Sequence, residues 1–166
     1  MLGRLARWLR ILGYDTFYLR EGDDESLLRL AQAEGRWLLT RDAGLAARAT
    51  VPRLIRVEAT RLEAQLREVL TKAGLPLEGG ERLTRCPVCN GSLAAVERSA
   101  VEGRVPPHVY ATHRVFHVCT ACGKLYWQGS HLRRIVARLD TIAGAAEERS
   151  GSSTGAATAP GGRAAP

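Results

Sequence analysis

Cys86, Cys89, Cys119 and Cys122 are the only cysteines in this chain of 166 residues, and they form two pairs, Cys-Pro-Val-Cys and Cys-Thr-Ala-Cys, separated by 29 residues. Two Cys-x-x-Cys turns can bring four thiolates onto one tetrahedral ion at about 2.3 Å each, and borderline-soft Zn²⁺ suits such a set. Pro87 stiffens the first turn, Asn90-Gly91 follows it and Gly123 follows the second, which lets backbone amides turn back towards sulfur. A structural zinc site is therefore the expectation. Disulfides need an oxidising compartment and a secretion signal, and the opening Met1-Leu-Gly-Arg-Leu-Ala-Arg-Trp is too charged for the apolar region of one. Disulfides and free thiols remain the alternatives.

Hydrophobic residues make up 45% of the chain, enough for a buried core. No apolar run approaches the ~20 residues of a membrane span, which excludes a helical membrane protein and leads us to expect a soluble, cytoplasmic one. The net charge of +7 points to a polyanionic partner. Residues 1–85 hold 15 Lys/Arg against 12 Asp/Glu, whereas residues 86–138 hold 7 against 2, so the cysteine half is the denser positive surface. A solvated face that only keeps the protein soluble would look the same.

Periodicity divides the first half into alternating elements. Leu2 to Leu12 is an amphipathic helix with Arg4, Arg7 and Arg10 spaced by three, stopped by Gly13. Thr16–Leu19 reads as an extended run, residues 25–34 as a second helix ended by Gly35, and Trp37–Thr40 as a strand. A helical turn over Gly44–Ala49 and a strand over Leu54–Val57 follow. Thr60-Arg-Leu-Glu63 then reads as a capping box opening a helix with Leu62, Leu66, Val69 and Leu70 on its buried side and Gly74 at its end. This order predicts a small α/β layer with a mostly parallel sheet, whose ligands bind at the carboxyl ends of strands. Asp42 stands at that position.

The expected organisation is an α/β domain over residues 1–74, a connector over 75–84, a zinc ribbon with a C-terminal helix over 85–142, and a disordered tail over 143–166. Within the ribbon, Leu93–Val96, Val115–Val118 and Leu125–Trp127 read as strands, Val105-Pro-Pro-His as an extended crossing, and residues 131–142 as a last helix carrying Arg133, Arg134 and Arg138.

Three stretches resemble one family: Met1-Leu-Gly-Arg-Leu-Ala-Arg-Trp-Leu-Arg-Ile-Leu-Gly-Tyr-Asp-Thr, then Leu38-Leu-Thr-Arg-Asp42, then Cys-Pro-Val-Cys-Asn-Gly with Val105-Pro-Pro-His-Val-Tyr and Tyr126-Trp-Gln-Gly-Ser-His131. Together, over Met1 to Ile142, they resemble the PIN-like ribonuclease domain with a C-terminal zinc ribbon, named after the C-terminus of the Mut-seven exonuclease. The resemblance implies a PIN-like, Rossmannoid α/β fold whose acidic cluster holds Mg²⁺ or Mn²⁺ and hydrolyses RNA. Asp42 matches its Thr-Arg-Asp aspartate, Asp24 matches the acidic residue before the second helix with Asp23 as a fallback, and Arg41 would hold a phosphate. Arg4, Arg133 and Arg134 are further candidates for RNA contact.

Plainer readings stand beside each assignment. Asp23, Asp24 and Asp42 are placed to cap helices, Asp15 to make a turn, and the helix arginines to face solvent. His108, His113, His117 and His131 are expected as packing or RNA-contacting groups, because four cysteines already suffice for zinc. Tyr126 and Trp127 are expected to be buried rather than to stack on bases. Family members usually open with a strand ending in an aspartate just before the Met-Leu-Gly motif, whereas this sequence starts at that methionine. That predicts either a longer natural protein or a weakened acidic site. A catalytically inactive RNA-binding module, or a ribbon that docks onto a protein partner, is the alternative function.

Overall fold

The computed structural model describes residues 2–19, 23–76, 83–127, 129 and 137. The first helix, α1 (Gly3–Ile11), buries Leu5, Ala6, Leu9 and Ile11 and ends as expected at Gly13, which takes φ of 90°. The extended run expected at Thr16–Leu19 joins neither sheet. Its first amide, Thr16 N–H, donates to the Asn90 side chain at 3.0 Å instead of joining a ladder.

Helix α2 (Asp24–Ala33) leads to β1 (Leu38–Thr40), α3 (Ala43–Arg48), β2 (Leu54–Arg56) and α4 (Leu62–Ala73). The two strands are parallel, with Leu38 opposite Leu54 and Thr40 opposite Arg56, as the alternation of elements predicts. Leu66, Val69 and Leu70 of α4 pack on Leu5, Leu9 and Leu12 and on Ile55 and Val57. Full burial of each such side chain contributes about 1.5–3 kcal/mol.

The expected capping box does not form: Arg61 is the N-cap of α4 and its side chain makes no cap hydrogen bond. The loop before the helix is held from further along it. Glu68 accepts the Glu58 and Ala59 N–H groups, and Gln65 donates to Ala59 O at 3.0 Å. Gln65 and Glu68, three residues apart, lie on the same side of the helix and both reach back to the loop.

Among the described residues the cysteine half forms a three-stranded antiparallel sheet of β3 (Leu93–Val96), β4 (Phe116–Cys119) and β5 (Leu125–Trp127). The second strand runs one residue later than expected, because Phe116 is 1% exposed and takes the core face while Val115 is 58% exposed. Val105-Pro-Pro-His is not a simple extended crossing. Pro106 is extended, but Pro107 opens α5 (Pro107–Thr112), where a proline costs no hydrogen bond. The 3-10 turn Arg98–Val101, the link after it and α5 supply Val101, Val105 and Val109 in turn, which pack with Phe116 and give the small sheet its own core.

The connector begins and ends against α1: Tyr14 Oη donates to Pro76 O at 2.7 Å and Leu83 N–H donates to Ile11 O at 3.1 Å. The expected last helix, with Arg133 and Arg134, lies outside the described residues except for Ala137, and so does the tail. No helix among the described residues is long and apolar enough to cross a membrane.

Candidate functional site

The two cysteine turns repeat one hydrogen-bond pattern. Cys86 N–H donates to Gly91 O at 2.8 Å and Asn90 N–H to Cys86 O at 2.9 Å; Cys119 N–H donates to Lys124 O and Gly123 N–H to Cys119 O, both at 2.9 Å. Each turn needs a left-handed residue after its second cysteine, Asn90 at φ 71° and Gly123 at φ 69°. Asn and Gly are the residues that adopt this conformation most readily.

All four sulfurs lie within 4.8 Å of one another, with Cys86 and Cys122 at 3.7 Å and Cys89 and Cys119 at 3.4 Å. A tetrahedral ion with 2.3 Å arms requires sulfurs about 3.8 Å apart. The donor set therefore fits Zn²⁺, and these four are the only group of three or more potential metal ligands among the described residues. Gly91 leaves the space the set needs: a Cβ there would stand 2.7 Å from Ala121 Cβ and 3.0 Å from Cys119 Sγ.

Electrostatics also favours a shared cation. Burial pushes the Cys86 thiol up, but the Tyr126 hydroxyl, 3.0 Å from its sulfur, and the Cys89 and Val88 N–H groups outweigh this and bring it down to about 6. At Cys89 the Gly91 N–H lowers the thiol, yet burial and the sulfurs of Cys119, Cys122 and Cys86 outweigh it and raise it to about 12. Four thiolates this close repel one another, and a divalent ion removes the conflict.

The first turn is fastened to α1. Arg10, 8% exposed, donates from Nε to Thr16 O at 2.8 Å and from Nη1 to Val88 O at 2.9 Å, with Pro87 O at 3.4 Å. Asn90 Oδ1 accepts Thr16 N–H and its Nδ2 donates to Asp15 Oδ1 at 2.6 Å. Asp15 also takes Arg36 at 3.1 Å and Arg85 at 3.7 Å. The Arg36 hydrogen bond leads the effects that hold its carboxyl below the ordinary range, against some burial.

Asp15 is thus more than a turn residue, and Arg10 is not part of a solvated arginine face. Three residues advance a helix by about 300°, so Arg10 lies roughly 120° around α1 from Arg4. It shares the buried side of Ala6, one turn earlier. That drift is the signal in the sequence for Arg10. For the Tyr126 contact there is none, because it depends on β5 crossing the first turn.

The aspartates take the places their local sequence allows. Asp23 caps α2 through Ser26 N–H at 2.6 Å, and Asp24, exposed, pairs with Arg48. Asp42 follows the carboxyl end of β1; its Oδ1 caps α3 through Leu45 N–H at 2.8 Å and its own N–H donates to Thr40 Oγ1 at 3.0 Å. Asp42 Oδ2 has no hydrogen bond among the described residues, and Arg41 and Arg4 are exposed. The three aspartates do not form a ligand group of three among the described residues. No histidine among them joins the cysteines, and Tyr126 and Trp127 are half-buried.

The family model described as the Mut7-C RNAse domain matches residues 1–139. No curated protein and no solved structure matches the chain.

Proposed function

The chain belongs to the Mut7-C RNAse domain family, and from that premise we propose a ribonuclease that hydrolyses RNA phosphodiester bonds at a Mg²⁺ or Mn²⁺ site. In this reading the four cysteines hold structural Zn²⁺ and the ribbon helps to grip RNA.

Asp42 is the observation that carries the proposal. It is exposed at the carboxyl end of a parallel strand, with one carboxylate oxygen engaged in capping and the other open. Mg²⁺ takes hard oxygen donors, often one or two carboxylates plus substrate phosphates. Asp42 and Asp24 would hold it, with Asp23 in reserve. Asp24 can be released from Arg48 at small cost, since an exposed ion pair is worth about 0–1 kcal/mol. When bound, the ion supplies an activated water and polarises the scissile phosphate. Arg41, adjacent to Asp42, would orient a phosphate oxygen, with Arg4, Arg133 and Arg134 as further RNA contacts.

Cleavage of labelled single-stranded RNA after removal of divalent ions should stop, and should return with Mn²⁺ or Mg²⁺ but not with Zn²⁺ alone. A second reading, an RNA-binding module without catalysis, is favoured by one observation: only the cysteines form an assembled ligand group among the described residues. RNA binding with no cleavage in either ion would establish it.

A further inference from the structure

An open cleft of about 530 Å³ lies between α1 and the cysteine sheet, lined by Arg7, Val88, Arg104, Lys124, Tyr126 and Trp127 among others. Its walls come from both halves of the protein. Arg7 belongs to α1, Val88 and Lys124 border the two cysteine turns, Arg104 precedes α5, and Tyr126 and Trp127 lie on β5. The cleft exists because Arg10 and Asn90 fasten the first turn against α1.

No acidic side chain lines it. Arg7, Arg104 and Lys124 are exposed and form no ion pair among the described residues; the one side-chain hydrogen bond found for the three is a long one from Arg104 Nη1 to Ala100 O at 3.4 Å. Elsewhere several cations are neutralised, Arg29 by Glu25, Arg36 by Asp15 and Glu34, Arg48 by Asp24, Arg56 by Glu58 and Lys72 by Glu68. The Tyr126 ring is fixed by its hydroxyl contact to Cys86, and Trp127 is half-buried against the sheet's core.

We propose that this cleft is the seat for single-stranded RNA, with Arg7, Arg104 and Lys124 on phosphates and an unpaired base against the Tyr126 ring. It rests on the reading of the protein as one that acts on RNA, and names where RNA is held. Unpartnered cations along a groove draw a polyanion, and aromatic faces favour an unstacked base over a duplex. The site differs from the arginines that the sequence and the family resemblance suggest, Arg4, Arg41, Arg133 and Arg134.

The test is equilibrium binding of a fluorescent oligouridylate to the full chain in EDTA at several salt concentrations, which separates binding from cleavage. The probes are wild type, Arg7→Ala/Arg104→Ala/Lys124→Ala, Trp127→Phe, and a control carrying Arg29→Ala and Arg61→Ala. The triple variant should flatten the log–log salt slope by about 2 and weaken binding by roughly 100-fold at 0.1 M salt, as three lost single-strand phosphate contacts require. The control and Trp127→Phe, whose ring packs on the sheet's core, should both bind as wild type, and zinc content should be equal in all. Wild-type affinity and slope in the triple variant, equal binding of duplex RNA, or equally effective competition by polyglutamate would each overturn the proposal. Should the triple variant lose binding while wild type binds RNA but never cleaves it, the cleft stands and the nuclease reading falls.

Discussion

Arg10 gives its guanidinium to backbone carbonyls of Thr16, Pro87 and Val88, in the last turn of α1, where a cation also complements the helix dipole. Truncation leaves those carbonyls without their charged donor at a largely buried site. Arg10→Ala should therefore cost about 2–4 kcal/mol in urea unfolding, and Arg10→Lys should recover only part of it, since one ammonium cannot serve the same spread of acceptors. Asp15, on the other side of the junction, has a folded-state carboxyl below its ordinary value, so its contribution is present above the ordinary carboxylate range and lost as pH falls through the lowered value. With 40% of its side chain exposed, that contribution is of the size of a surface pair. Asp15→Asn should be less stable by roughly 0.5 kcal/mol at pH 7, with the gap closing below about pH 4; an equal gap at pH 7 and pH 2.5 would contradict the role given to the carboxylate.

At the scale of elements, the cysteine turns were the most legible part of the chain. Their chemistry is written in spacing, in the cysteines themselves and in the Asn and Gly that follow, and the structure brings all four sulfurs together. The helices of the first half were legible from periodicity and their glycine stops for the same reason: local pattern decides them. Contacts between distant segments left no such pattern. Thr16–Leu19 reads as an extended run with nothing local to show that Asn90 takes its first amide, and Thr60–Glu63 reads as a capping box although Glu68 and Gln65 hold the loop. Val105-Pro-Pro-His reads as a stiff extended crossing, yet the apolar contacts of Val109 with Phe116 favour a helix from Pro107 onward. One substitution tests the metal centre at this scale. Gly91→Ala places a methyl against Ala121 Cβ and Cys119 Sγ, and should weaken zinc retention against a competing chelator by roughly tenfold or more. Gly103→Ala, where a Cβ meets open space, should leave zinc retention unchanged even though its positive φ costs some stability.

For the whole molecule, the junction ties the four-cysteine cluster to the α/β half. Arg10 and Asn90 hold the first cysteine turn against α1, so removal of a bound metal should loosen α1 as well as the cysteine sheet. Hydrogen exchange should show faster exchange in residues 5–12 after chelation, reversed by added Zn²⁺; unchanged protection there would separate the two halves energetically. The proposed nuclease is tested most directly at Asp42, because asparagine can still accept Leu45 N–H and keep the α3 cap while giving up the anionic oxygen. The decisive measurement is the single-turnover rate of RNA cleavage in Mn²⁺, at saturating enzyme, for wild type and Asp42→Asn with matched thermal stability and RNA affinity. The account predicts a loss of at least 100-fold, on the scale of removing one electrostatic contributor to a transition state. Cleavage at the wild-type rate would contradict it.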